Sequence, residues 1–296
     1  MKIGIVGAGS IGLLFAAYMN GLFDVTVYTR TIGQAERINR NGVRLVKGAG
    51  PLTANVRAKA LGTGPMDNDL TIIAVKQYQL ESVLSHLPAK GALLFLQNGM
   101  GHLRLLEQLN VEAIYVGSVE HGALRETPDT VSHNGAGLTR VAVFRGSPDL
   151  LEKVASLLSD TFPMKLEPDF YEMLAGKLAA NAVINPLTAI LGVRNGELVE
   201  NPRYEKLLEK VFEEAAAILG FKDPQDRLAN VKRICRNTSE NRSSMLKDLD
   251  AGRPTEVDAI LGYLLDEADD REMAAPLLRA FYEMIKGKDS NGRESC

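Results

Sequence analysis

With 296 residues, 45% hydrophobic and 24% charged, the chain has ordinary globular composition, which excludes a disordered or collagen-like protein, and its length suits two domains better than one. Its 34 basic and 37 acidic residues give a net charge of -3 without a cationic block, which argues against nucleic acid or an anionic membrane surface as partner. The two cysteines, Cys235 and Cys296, form no CxxC pair or Cys/His cluster, so a disulfide framework and a metal site both lack material and a reducing compartment fits.

The first residues, one lysine and a short β-like run, are too brief and glycine-rich for a signal peptide, and no apolar stretch approaches the roughly 18 residues of a membrane span. A cytoplasmic protein without membrane contact is expected. Apolar runs at residues 2–6, 24–28, 70–75, 92–96 and 114–118 read as buried strands, with a later strand at 138–144. Helical periodicity falls between them at 10–20, 34–41, 77–86 and 103–108, the alternation of βαβ units and a mostly parallel sheet.

From about Asp169 the β-branched runs give way to amphipathic segments at 171–191, 203–219, 225–237, 255–268 and 276–286. The fold class is therefore α/β followed by an all-helical part. The turn Glu167-Pro168-Asp169 sets the expected boundary, giving domains 1–166 and 167–296. The polar tail from Gly287 is expected to fray. The segment 120–128 carries no readable signal.

Gly7-Ala8-Gly9-Ser10-Ile11-Gly12 fits GxGxxG, follows the first strand directly and opens an apolar helix. That is the strand, tight turn and helix start required by a dinucleotide diphosphate, whose anion faces free N–H groups. At the end of the second strand, where an NAD enzyme places an acid, the chain has Arg30. An arginine there is either a solvated surface residue or a ligand for a 2′-phosphate, and a contact of about 1.5 to 3 kcal/mol would favour NADP over NAD by roughly 10- to 150-fold. Lys76 and Asn98 follow later strands, where open parallel sheets bind ligands, although either also suits a plain turn.

In the helical half, Lys177, Asn181 and Asn185 share one face of an otherwise apolar helix, at about 40° and 80° from the lysine direction. Polar groups there must either pair within the core or line a cavity. Pro186 should bend this helix or free a carbonyl near Ala182. Further on, Ser243-Ser244-Met245-Leu246 precedes Pro254-Thr255-Glu256, and Glu256 falls in the first turn of a helix, where a capping acid is the plain alternative to catalysis. His121 and His133 are expected in loops with structural roles, and Cys235 in packing.

These residues together resemble the ketopantoate reductase (2-dehydropantoate 2-reductase) family. The resemblance rests on the glycine motif, Val75-Lys76, Gln97-Asn98-Gly99-Met100-Gly101, the run from Lys177 to Ala189, and Ser244-Met245-Leu246 with Asp248 and Thr255-Glu256-Val257-Asp258. It implies an N-terminal Rossmann-type domain joined to a helical substrate domain, with NADPH and a 2-oxo acid in the cleft between them. By the same resemblance Lys177 is the general acid and Glu256 its assisting acid. Asn181 and Asn185 are the substrate amides, and Ser244 is the hydroxyl at the substrate carboxylate. Residues Gly7 to Gly12, Arg30, Lys76 and Asn98 serve the cofactor, Asn98 also reaching the substrate. The implied reaction is reduction of ketopantoate to (R)-pantoate on the way to pantothenate, with a homodimer left open.

The residues agree with this chemistry independently, since hydride addition to a ketone builds an alkoxide that an ammonium can stabilise and protonate. Two rival readings stand beside it: a reductase of another branched 2-oxo acid, and an NADP-sensing protein without turnover. The lysine, asparagine and glutamate set speaks against a sensor, which needs no proton donor.

Overall fold

Buried β-branched runs place β1 (Lys2–Val6) at the centre of the first half, with Ile3 and Ile5 fully inaccessible. The computed structural model describes residues 1–48, 50–158 and 160–291, the side chains of 290 and 291 excepted. The strands that follow are β2 (Asp24–Thr29), β3 (Val43–Lys47), β4 (Gly50–Ala54), β5 (Arg57–Ala60), β6 (Leu70–Ile73) and β7 (Ala92–Phe95). After them come β8 (Ala113–Val119), β9 (Gly122–Thr127), β10 (Thr130–Gly135), β11 (Thr139–Arg145) and β12 (Met164–Leu166). The early helices are α1 (Ser10–Met19), α2 (Ile32–Asn41), α3 (Leu80–Leu84), α4 (Leu103–Glu107) and α5 (Asp149–Leu158). The later ones are α6 (Phe170–Leu191), α7 (Glu197–Glu200), α8 (Pro202–Leu219), α9 (Pro224–Asn237), α10 (Ser244–Asp250), α11 (Tyr263–Asp270) and α12 (Pro276–Asn291).

The chain divides into two compact units, Met1–Gln97 with Arg104–Met173, and Asn98–Leu103 with the chain from Leu174 onward. The first unit carries a sheet in the order β12-β11-β8-β7-β6-β1-β2-β5, parallel at every pairing except β8 with β11. From β5 to β8 this is the 3-2-1-4-5-6 order of a dinucleotide-binding α/β fold.

A second sheet, β4-β3-β10-β9, was not expected from the sequence. It turns the unread segment 120–128 into β9 and its turn, and it places His133 in β10 rather than in a loop. Helix α1 packs against strands of both sheets, which explains why SIGLLFAAYM is apolar nearly all round. Leu13, Leu14 and Phe15 from α1, Val25 and Val27 from β2, and Leu45 and Val131 from the second sheet share one core.

The second unit is helical. α6 runs without interruption through Pro186, and the proline, as expected, has no N–H to donate to the Ala182 carbonyl. Contrary to the expectation that no segment approaches membrane length, α6 is long and apolar enough to span a bilayer, but 72% of its apolar window is buried inside the protein. The helix expected at 255 starts at Val257 instead, with a π-helical turn at Asp258–Gly262 leading into α11. The chain remains helical in α12 as far as Asn291, which corrects the expected fraying from Gly287. Residues 292–296, Cys296 among them, lie outside the described residues. Cys235 is buried in α9, and burial pushes its thiol up to about 11, where it is inert as a nucleophile.

Candidate active site

In the first unit the parallel register aligns three strand ends, because Val6 of β1 pairs with Tyr28 of β2 and Ile73 of β6. Gly7, Arg30 and Lys76 therefore emerge along one edge of the sheet. Gly7 N–H donates to Tyr28 O at 2.9 Å, and Ala74 N–H donates to Val6 O at 2.8 Å. Arg30 is exposed, and Lys76 caps a short 3₁₀ turn, Gln77–Gln79, its N–H donating to Gln79 Oε1 at 3.2 Å.

The glycine turn has the shape that a diphosphate needs. Gly7 has φ 105°, and a Cβ at Gly12 would lie 1.8 Å from Gly7 O, so the helix approaches the strand only because Gly12 lacks one. A Cβ at Gly9 would meet nothing within 4 Å, which leaves open space over the turn. Gly9 caps α1 with no side-chain hydrogen bond, and the first turn holds no acid. Its N–H groups are thus available to an anion, and the residues fit a dinucleotide.

In the second unit Lys177, Asn181, Asn185 and Thr188 form a stripe along α6. Lys177 and Asn181 are partly exposed, Asn185 is buried and Thr188 is fully so. Thr188 Oγ1 lies 2.7 Å from Ser243 Oγ, which in turn accepts from Leu246 N–H at 3.1 Å as the cap of α10. This hydroxyl pair ties the start of α10 to the deep end of the stripe. Ser244, the first residue of α10, is exposed, whereas Ser243 is buried.

The same unit brings Asn98 onto Glu256. Asn98 Nδ2 donates to Glu256 Oε2 at 3.0 Å, and Glu256 is 6% exposed. Glu256 O accepts from Ile260 N–H at 3.1 Å, so Glu256 stands at the helix cap rather than within its first turn. Gly99, with φ 77°, lets the loop press on the π-helical turn, because a Cβ there would fall 1.9 Å from Ala259 O.

Sequence reasoning passed over Arg125 and Gln34, which touch the glycine turn from β9 and α2. Arg125 N–H donates to Ser10 Oγ at 3.0 Å, and Gln34 Nε2 donates to Ala8 O at 3.0 Å. Neither belongs to a recognisable motif, since β9 reads GALRET and Gln34 falls inside an ordinary surface helix. His121 and His133 meet with 3.2 Å between Nδ1 and Nε2, and His133 Nδ1 lies 2.7 Å from Tyr18 OH. Burial, with His133 and Lys47 nearby, pushes His121 down to about 4, and the chain of contacts through His133 to Tyr18 fastens the second sheet to α1.

The chain matches two family models, "Ketopantoate reductase PanE/ApbA" over residues 3–146 and "Ketopantoate reductase PanE/ApbA C terminal" over residues 169–289. It is 45% identical to the 2-dehydropantoate 2-reductase of Bacillus subtilis (strain 168), over 98% of each chain. The 2-dehydropantoate 2-reductase of Listeria innocua is 38% identical, covering 97% of this chain and 96% of that one. Among solved structures, a probable 2-dehydropantoate 2-reductase from Bacillus subtilis superposes with a TM-score of 0.91 at 44% identity, covering 97% of this chain and all of the other. A D-mandelate dehydrogenase, 23% identical with a TM-score of 0.91 over 99% of both chains, shares the fold.

Proposed function

The chain belongs to the ketopantoate reductase family, and from that premise we propose that it catalyses the NADPH-dependent reduction of 2-dehydropantoate to (R)-pantoate. The observation that carries this reading is the 45% identity, over 98% of each chain, to the Bacillus subtilis 2-dehydropantoate 2-reductase. The polar stripe on α6 and the open glycine turn support it with the chemistry required.

A dinucleotide held by its diphosphate at the Gly7–Gly12 turn would supply the hydride from its nicotinamide. Reduction of the ketone builds negative charge on its oxygen, which the Lys177 ammonium stabilises and then protonates from Nζ. Glu256, held by Asn98, assists Lys177 and contacts substrate. Asn181 and Asn185 bind substrate oxygens through their amides, and the Ser244 hydroxyl binds the carboxylate. Arg30 takes the 2′-phosphate, while Lys76 and Asn98 serve the cofactor. On the same reading the enzyme works in the cytoplasm on a soluble 2-oxo acid.

The test is to follow NADPH absorbance with ketopantoate, pyruvate and 2-oxoisovalerate as separate substrates. The expected result is a kcat/KM for ketopantoate at least about 100-fold above the other two, since a site that hydrogen-bonds a substrate hydroxyl rejects analogues lacking it by up to about 10⁴- to 10⁵-fold. Faster turnover of 2-oxoisovalerate would move the assignment to another branched 2-oxo acid. NADPH binding without oxidation by any of the three would make the protein a sensor.

A further inference from the structure

The roles above leave β9 without a task, although it lies against the glycine turn. Arg125 touches that turn twice. Its main-chain N–H donates to Ser10 Oγ at 3.0 Å, and its Nη1 donates to Ala8 O at 3.3 Å. The two contacts flank Gly9, the residue over which the space is open.

We propose that the Arg125 guanidinium is a cofactor-binding group that pairs with the diphosphate of the dinucleotide at the Gly7–Gly12 turn. This inference rests on reading that turn as a nucleotide site. Three observations carry it.

The first is charge. Arg125 is exposed, and among the described residues no carboxylate pairs with it. A guanidinium beside a helix N-terminus that lacks both an acid and a side-chain cap sets like charges together, an arrangement that an anion relieves. The second is donor count. A guanidinium has five N–H donors, and only one is engaged with Ala8 O, which leaves a planar fork suited to phosphate oxygens.

The third is rigidity. The β9–β10 hairpin is fastened on both sides of the turn. Gln34 Nε2 donates to Ala8 O and, at 2.8 Å, to Pro128 O. Asp129, at the hairpin tip, is gripped by Arg37 at 3.0 Å, Asn41 at 2.7 Å and Thr127 at 2.6 Å. Burial alone would raise the Asp129 carboxyl, but these partners hold it at about 2. A guanidinium on so fixed a strand is pre-positioned, and its pairing with phosphate forfeits little entropy.

A diphosphate ligand and a 2′-phosphate ligand predict different losses. The affinities of NADPH, NADH and adenosine 2′-phosphate, which lacks the diphosphate, are measured by calorimetry for wild type, Arg125→Gln and Arg125→Lys. Arg125→Gln keeps an N–H donor for Ala8 O and removes only the charge. It is expected to weaken NADPH and NADH alike by roughly 10- to 100-fold, the range for one charge-assisted phosphate contact. Binding should also lose part of its salt dependence, with adenosine 2′-phosphate within about twofold of wild type. Arg125→Lys, which retains the charge, is expected to recover most of the affinity.

Dinucleotide affinities of Arg125→Gln within about twofold of wild type would reduce Arg125 to a brace. Equal loss for adenosine 2′-phosphate would move the contact to the ribose phosphate or indicate a collapsed turn, and either overturns the proposal. Wild-type protein that binds neither dinucleotide would overturn the nucleotide reading and this inference together, an outcome distinct from wild-type binding that Arg125→Gln leaves unchanged.

Discussion

Asn98 and Glu256, 158 positions apart in sequence, are joined by a 3.0 Å hydrogen bond from Nδ2 to Oε2. The bond depends on Gly99, whose backbone has φ 77° and whose missing Cβ leaves room for Ala259 O. Gly99→Ala therefore meets two penalties, a left-handed backbone and a clash with main chain. A loss of about 2 kcal/mol or more is expected, read as a lower denaturant midpoint. Asn98→Ala, which removes the donor and leaves the backbone intact, should cost about 1 to 3 kcal/mol and raise KM for the oxo acid. If Gly99→Ala matched wild type in midpoint and KM, the loop would not be what holds Asn98 on the carboxylate.

Lys177 lies on the partly exposed part of the α6 stripe. Lys177→Ala should lower kcat by about 10² to 10⁴, the scale of general acid catalysis, with NADPH affinity almost unchanged. The measurement is steady-state turnover alongside cofactor titration. Turnover close to wild type would remove Lys177 from proton transfer, and a parallel loss of NADPH affinity would make it a binding residue instead.

The α6 stripe was legible in the sequence because three polar residues at four-residue spacing stand out in a helix that is otherwise apolar. The glycine turn was legible because its neighbours, a β-branched run and an apolar helix, left one arrangement for it. The second sheet was not. Strands such as Gly50–Ala54 and Gly122–Thr127 are mostly exposed and show no buried apolar alternation, being held by ladder pairing and by α1. Helix α1, legible at 10–20, is apolar nearly all round because both sheets cover it, which the sequence did not explain. Local pattern also cannot reveal the meeting of Asn98 with Glu256 or Arg125 with Ser10, since each pair is created by the fold.

Arg30 follows β2 at the sheet edge shared with Gly7, and it is exposed. A ligand for the 2′-phosphate alone should matter only when that phosphate is present. Arg30→Ala is expected to weaken NADPH by roughly 10- to 150-fold and to leave NADH nearly unaffected. Losses of equal size for both cofactors would refute the assignment, and they are the pattern expected of Arg125→Gln instead.

His102 is fully buried, and neither ring nitrogen has a hydrogen-bond partner. Burial pushes its pKa down from 6.5 to about 4. The unfolded chain binds this proton near pH 6.5 and the folded chain only near 4, so the stability tied to His102 is complete above about pH 6.5 and is lost as pH falls toward 4. Over that window the loss amounts to at most about 3 kcal/mol. His102→Leu removes both the titration and the unpaired nitrogens, whose burial costs about 1 to 3 kcal/mol. The variant should therefore melt higher than wild type at pH 7, with a shallower decline in Tm between pH 6.5 and 4. His121 still contributes to the remaining slope, since it is displaced in the same direction. A His102→Leu protein that melts lower at pH 7 and declines as steeply as wild type would mean that the buried imidazole stabilises the fold and is not the group whose protonation sets the slope.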